Sequence, residues 1–271
     1  MPKLHADGIR VAYGETEIIK NISLEIPDGK ITAIIGPNGC GKSTLLKTLG
    51  RILFPNRGAV YLDGKEVVKQ STKKVAQKLA MLPQSPDAPE GLSVSELVSF
   101  GRYPHQKGLG KLKAEDHQAV SWALQATGML PLKDREVDAL SGGQRQRAWI
   151  AMALAQGTDI ILLDEPTTYL DLSHQLEVLK LLQHLNRAEH RTIVMVIHDL
   201  NQAARFSDYM VAMKDGEIYR HGSPETVMTR GMMRDVFQID AEIALDRKTG
   251  KPVCLSYDLA KEYGQAIEKM A

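Results

Sequence analysis

Gly36-Pro37-Asn38-Gly39-Cys40-Gly41-Lys42-Ser43-Thr44 fits the spacing G-x-x-x-x-G-K-[S/T]. Such a turn presents several backbone N–H groups to one anion, at the positive end of the helix that follows. Gly39 and Gly41 allow backbone angles and a close phosphate approach that a side chain would block. Lys42 brings a point charge for the β- and γ-phosphates, and the Ser43 hydroxyl is suited to Mg²⁺. Ile160-Ile161-Leu162-Leu163-Asp164-Glu165 is an apolar run that ends in two carboxylates. An Asp at such a strand end suits Mg²⁺, usually through water. A Glu beside it suits the orientation and deprotonation of a water aimed at the γ-phosphate. His198 closes the run Thr192–Ile197 in a similar position, where it can hydrogen-bond the γ-phosphate and sense its loss.

Leu140-Ser141-Gly142-Gly143-Gln144 is a second anion turn. Ser141 and Gln144 have capping-box spacing, and Gly142 and Gly143 would open the helix with free N–H groups. The chain thus has two phosphate-binding turns and one phosphate lysine, Lys42. That asymmetry points to a nucleotide held between two copies of the chain.

The elements that must position these residues are legible in outline. Ile31–Ile35 is a short β-branched run that reads as a buried strand, and Leu45–Leu49 continues the phosphate turn as a helix. Ile22, Leu24 and Ile26 alternate with Ser23 and Glu25, and Val60 and Leu62 alternate before the turn Asp63-Gly64, so the N-terminal part is β-rich. Helical character starts near Ser85 and lasts to about Gln156. Within it, Ser93-Val94-Ser95-Glu96 opens a helix toward Phe100, and Ala114–Thr127 forms another, stopped by Gly128. Strand 159–163, helix 173–188, strand 192–197, helix 200–206 and strand 209–213 then give the rhythm of a mainly parallel sheet. A hairpin turn is expected at Lys248–Lys251 and a final helix from Asp258.

Composition narrows the function classes. A formal net charge of +1 over 271 residues argues against nucleic acid or a polybasic membrane contact as the main theme. No apolar stretch approaches the roughly 18 residues of a membrane span. The start Met1-Pro2-Lys3-Leu4-His5 does not read as a signal peptide. Cys40 and Cys254 form no disulfide framework, which fits a reducing cytosol; Cys40 reads as a small tolerated side chain in the phosphate loop. The histidines other than His198 show no metal-ligand spacing.

With these motifs in place, the chain resembles the ATP-binding subunits of ABC transporters from about Leu4 to Gly222. The resemblance implies an α/β P-loop NTPase fold: an ABC ATPase core with an N-terminal antiparallel β subdomain and an inserted α-helical signature subdomain. It implies an ATPase domain over 1–231, with the insert at about 85–156, and a C-terminal extension over 232–271 packed on the core. In that family Gly36–Thr44 would be the Walker A loop, Asp164 the Walker B carboxylate, Glu165 the catalytic base and His198 the switch histidine. Tyr13 would stack on adenine, and Gln84 would touch Mg²⁺ and communicate with the membrane subunit. Leu140–Gln144 would be the signature, and Tyr169-Leu170-Asp171 the D-loop at the dimer interface.

ATP and Mg²⁺ are the implied cofactors. Two antiparallel subunits would sandwich two ATP molecules and drive two membrane-spanning permease subunits, served indirectly by a substrate-binding protein. The protein would lie peripherally on the cytoplasmic face of the cell membrane, with no nucleic-acid partner. Gly101-Arg102-Tyr103-Pro104-His105 and Thr167–Gln175 are similar to ferric-siderophore importer ATPases, and haem and cobalamin importers share much of this pattern. A separate-subunit exporter and a soluble ABC ATPase that remodels ribosomes or DNA are the remaining alternatives.

Overall fold

The computed structural model describes residues 3–84, 86–106 and 111–260. The opening Met1-Pro2, Ser85 at the expected start of the insert, and the expected final helix beyond Ala260 lie outside these residues.

Strands β1 (Leu4–Tyr13) and β2 (Thr16–Ile26) form an antiparallel pair. Strand β3 (Ile31–Ile35) is buried along its whole length and leads through the glycine turn into helix α1 (Lys42–Leu49). Strand β4 (Arg57–Leu62) returns to pair with β1, the short β5 (Lys65–Glu66) pairs with β4, and α2 (Thr72–Ala76) precedes β6 (Leu79–Leu82). Helices α3 (Val94–Phe100), α4 (Ala114–Ala126) and α5 (Gly142–Ala155) then form the insert. The alternation resumes with β7 (Ile160–Asp164), α6 (Leu172–Glu189), β8 (Thr192–Val196), α7 (Leu200–Phe206), β9 (Tyr209–Lys214) and β10 (Glu217–Gly222). Helices α8 (Pro224–Val227) and α9 (Arg230–Phe237) and the hairpin β11 (Ile239–Leu245) and β12 (Pro252–Leu259) complete the described chain.

Among the described residues the main sheet has the order β10-β9-β3-β8-β7-β6. Its pairs are parallel except the antiparallel edge strand β10. Strands β3, β7 and β8 are buried on both faces, which is why they read as continuous β-branched and leucine runs rather than as alternations. Their side chains divide between two cores. Ala33, Leu163 and Met195 face the helical insert and α6, while Ile34, Leu162 and Val194 face α1 and the antiparallel sheet. The register Ile34↔Val196, Asp164↔Val196 and Leu82↔Leu163 brings the carboxyl ends of β3, β8, β7 and β6 level. That edge is where an open parallel sheet binds ligands.

The Gly101–His105 motif holds the insert together. Arg102 Nε donates to Asp116 Oδ1 at 2.9 Å and Arg102 Nη1 donates to the Ala155 carbonyl at 2.7 Å, with both charged side chains nearly out of water. These bonds tie the end of α3 to the start of α4 and the end of α5. His105 Nε2 lies 2.8 Å from the Gln156 carbonyl and adds a further link.

The C-terminal part departs from expectation in one respect. Asp258 does not open a helix: it lies within β12, paired with Asp240 across the hairpin. The alternating Val253, Leu255, Tyr257 and Leu259 favour a strand there once β11 offers an edge to pair with. Met232, Met233 and Val236 of α9 are buried in the same core as Phe206 and Met210, and α9 runs across the expected 231/232 boundary.

Candidate functional site

The glycine turn does what its composition predicts. Gly36, Gly39 and Gly41 all have positive φ, and Gly41 is the residue from which α1 departs. Gly36 is the tightest of them: a Cβ there would meet the Met213 carbonyl oxygen at 2.4 Å and Cys40 Sγ at 2.7 Å. Cys40 is buried, and burial pushes its thiol pKa up, so its role is packing and not nucleophilic attack. Lys42 is nearly buried and donates to the carbonyls of Gly36 and Pro37, both at 2.9 Å. Its ammonium group is thus held inside the loop whose N–H groups would receive phosphate.

The Ser43 hydroxyl donates to Asp164 Oδ1 at 2.8 Å, which joins the first turn of α1 to the end of β7. Asp164 is 2% exposed. Burial raises its carboxyl pKa, against the pull of Ser43 and the nearby Lys47 and Lys42. A carboxylate so buried, with a hydroxyl oxygen at its side, is an all-oxygen donor set that gains from a hard divalent cation. The residues present fit Mg²⁺.

Glu165 follows in a left-handed backbone conformation (φ 53°), an unfavourable state for a non-glycine residue that costs about 1–3 kcal/mol and re-aims the side chain. Three groups hold that side chain. His198 Nε2 lies 2.6 Å from Oε1, Gln84 Nε2 donates to Oε2 at 2.6 Å, and the Thr168 hydroxyl donates to Oε2 at 2.9 Å. Burial alone would push the Glu165 pKa up, but the bonds from His198 and Thr168 outweigh it and hold the group below the usual range. The group is therefore an anion at neutral pH, as a base must be.

Lys42, Ser43 and Glu165 share one cleft of about 670 Å³, and Asp164 lies behind its lining, bonded to Ser43. Tyr13, Asn38, Gly39, Gly41, Lys42, Ser43 and Thr44 line one side, and Gln84, Glu165 and His198 the other. Tyr13 is half exposed at the rim, as a ring awaiting a planar partner would be. Ile18, Thr168 and Tyr169 also line the cleft; Ile18 carries no motif, and Thr168 lies in the Thr167–Gln175 segment without a site role assigned from the sequence. The fixed offset of Thr168, three residues after Glu165, was the available signal.

Ser141, Gly142, Gly143 and Gln144 do not line this cleft. Their capping box is formed: Ser141 Oγ accepts from Gln144 N at 3.3 Å, and Gln144 Oε1 accepts from Ser141 N at 3.1 Å. The turn packs instead on the start of α6. A Cβ on Gly143 would lie 2.6 Å from the His174 ring. Asp171 caps α6, accepting from His174 N and the Ser173 hydroxyl at 2.9 Å each, with His174 Nδ1 at 2.6 Å. The His174 N–H, then Ser173, lower the Asp171 pKa to about 2. His174, unmarked in the sequence as a site residue, thus joins the second anion turn to the loop that carries Asp171.

Comparison with known proteins agrees with this architecture. Residues 19–168 match the model of the ABC transporter family. The chain is 58% identical to the iron(3+)-hydroxamate import ATP-binding protein of Bacillus subtilis, over 98% of this chain and 99% of that one. It is 47% identical to the ferric enterobactin transport ATP-binding protein of Escherichia coli, over 93% of each. Among solved structures, the dimeric post-hydrolysis state of an ATP-binding cassette bound to ADP and Pi superimposes with a TM-score of 0.70 at 30% identity. That match covers 81% of this chain and 98% of the other.

Proposed function

The chain belongs to the ABC transporter family, and from that premise we propose that it is the ATP-hydrolysing subunit that powers import of iron–siderophore complexes. The observation that carries the reading is the convergence of Lys42, Ser43 and a thrice-held Glu165 in one cleft, with Asp164 bonded to Ser43 and the second glycine turn directed elsewhere. One copy of the chain then supplies only half of the groups that a nucleotide needs.

The triphosphate would lie along the N–H groups of Gly39–Thr44, with Tyr13 against the base. The Lys42 ammonium would exchange its two carbonyl partners for phosphate oxygens as charge develops on the transferring group. Ser43 and Asp164, with Gln84 nearby, would hold Mg²⁺, which when bound screens charge between the β- and γ-phosphates. Glu165 would receive the proton of the attacking water, kept in orientation by His198, Gln84 and Thr168.

Ser141, Gly142 and Gly143 of a second copy would close on the γ-phosphate, so ATP favours a closed homodimer and hydrolysis reopens it. Among the described residues no helix is long and apolar enough to cross a membrane. As the ATP-hydrolysing subunit of an importer, the chain would sit at the cytoplasmic face of the membrane through two permease subunits, with a substrate-binding protein delivering cargo on the other side. The two relatives are named for import of iron(3+)-hydroxamate and transport of ferric enterobactin, which supports a cargo class rather than one molecule.

The test is uptake of radiolabelled ferric siderophores, haem and cobalamin by a strain lacking the gene. Ferric-siderophore uptake is expected to be lost and restored by wild type but not by Glu165→Gln. Undiminished siderophore uptake, or loss of haem or cobalamin uptake alone, would overturn the cargo assignment.

A further inference from the structure

A second cleft, of about 380 Å³, opens at the opposite end of the sheet from the phosphate loop. Its floor includes Ile31, the first residue of β3, whereas the loop follows the last. Its walls come from α6, the end of α7 and the turn of the β11–β12 hairpin. Five cationic side chains line it: Lys180 and Arg187 from α6, Arg205 from α7, and Lys248 and Lys251 from the hairpin.

The one acidic residue in the lining, Asp208, already accepts from the Ile31 N–H at 3.0 Å. Lys251 has Glu225 at 3.5 Å, and Asp246 accepts from the Lys248 N–H and the Thr249 hydroxyl. Lys180 and Arg187 make no ion pair among the described residues, Arg205 rests over the Phe206 ring, and Arg205 and Lys248 both lie near enough to the Asp246 carboxylate to help lower its pKa.

Acidic and basic residues balance almost evenly in this chain, 33 against 34. Five cations from three separate elements line this concavity, against Asp208 in the lining and Asp246 and Glu225 beside it, so the cleft keeps a positive excess that the average surface lacks. Like charges gathered in a cleft repel one another and focus a positive field, and a bound anion relieves both. The hairpin is also fixed in place: Asn201 of α7 donates to the Cys254 carbonyl at 3.1 Å and accepts from its N–H at 2.8 Å. Lys248 and Lys251 are thus held over α6 and α7.

We infer that this cleft binds a small polyanion carrying two or more phosphate or carboxylate groups. The occupant would bridge the hairpin to α6 and α7. Those two helices begin at Asp171 and Asp199, beside the nucleotide cleft, so the site is placed to couple the cell's content of such an anion to the ATPase.

The test is calorimetric titration of the full chain with tripolyphosphate. Wild type is expected to show two sites per chain, one in the phosphate loop and one here. Lys42→Ala is expected to retain one site, and the pair Arg187→Ala and Arg205→Ala to weaken that site about tenfold or more, since charge-assisted bonds are lost. The same pair introduced into the wild-type chain should weaken one tripolyphosphate site by the same factor and leave the other unchanged, and its unchanged ATP affinity would show that the fold is intact. A single site in wild type, or a second site indifferent to the two arginines, would overturn the inference.

Discussion

The Glu165 carboxylate and the His198 imidazole meet at 2.6 Å across the ends of two neighbouring parallel strands, β7 and β8. Each residue lies just beyond its strand, and the level register Asp164↔Val196 is what lets the two side chains reach each other. The contact joins the proposed base and its partner into one unit. It also separates two properties that mutagenesis can read independently, namely the presence of the base and its charge state.

Presence of the base is tested by Glu165→Gln. The amide keeps the shape and still bonds Thr168 and Gln84, so nucleotide binding should persist. Turnover should fall about 10²-fold or more, the usual range for loss of general-base help. Steady-state phosphate release together with nucleotide-binding measurements checks both halves; turnover near wild type would remove Glu165 from the role.

Charge state is tested by His198→Ala. His198 and Thr168 hold the Glu165 pKa below its ordinary value against burial. A lowered carboxyl pKa keeps the anion at neutral pH and loses it only as pH falls toward that value. Without His198 burial gains ground, the pKa rises, and the acid limb of turnover against pH should move to higher pH. An acid limb unmoved in the variant would mean that His198 does not set the charge.

Mg²⁺ dependence follows from the Ser43–Asp164 bond. Chelation of divalent cations should stop hydrolysis in the wild-type chain. Asp164→Asn removes a buried negative charge that Ser43, Lys47 and Lys42 offset only in part, so the Mg²⁺ concentration for half-maximal turnover should rise about 10–100-fold. A titration of turnover with Mg²⁺ checks this, and an unshifted midpoint would exclude Asp164 from the ion's environment.

The packing of Gly143 on His174 predicts a coupled pair. Gly143→Ala places a methyl group 2.6 Å from the imidazole, which Asp171 holds in place. Overpacking of this kind costs about 1–3 kcal/mol. His174→Ala in the same chain should recover most of that loss, a non-additivity expected only of residues in contact. Denaturant unfolding of the four chains measures it. Strict additivity would show that the ring does not constrain the turn.

The local geometry of the candidate site was legible because each glycine turn is set by neighbouring residues. The glycines, Lys42 and Ser43 lie within nine consecutive residues, and the capping box at Ser141 spans four, so spacing alone specifies their geometry. Asp164, Glu165 and His198 were visible for a related reason: apolar runs ending in polar residues mark strand ends, where an α/β sheet binds ligands. The helical insert and the parallel core were likewise readable from period and caps. Asp258 was misread because a strand at an edge is favoured by its partner, and the partner β11 is not a local property of residues 252–259.

Tertiary structure alone decided which of these residues meet. The order β3-β8-β7-β6 places Lys42, His198, Glu165 and Gln84 along one edge, although they are scattered over the chain. The bonds of Gln84 and Thr168 to Glu165, the seat of His174 under Gly143 and the cationic cleft at the far end of the sheet arise from long-range contacts. The sequence by itself determined the local devices, since backbone conformation and capping act over a few residues. It left open their mutual distances and the resulting pKa values, since those depend on burial and on partners that only the packed sheet brings together.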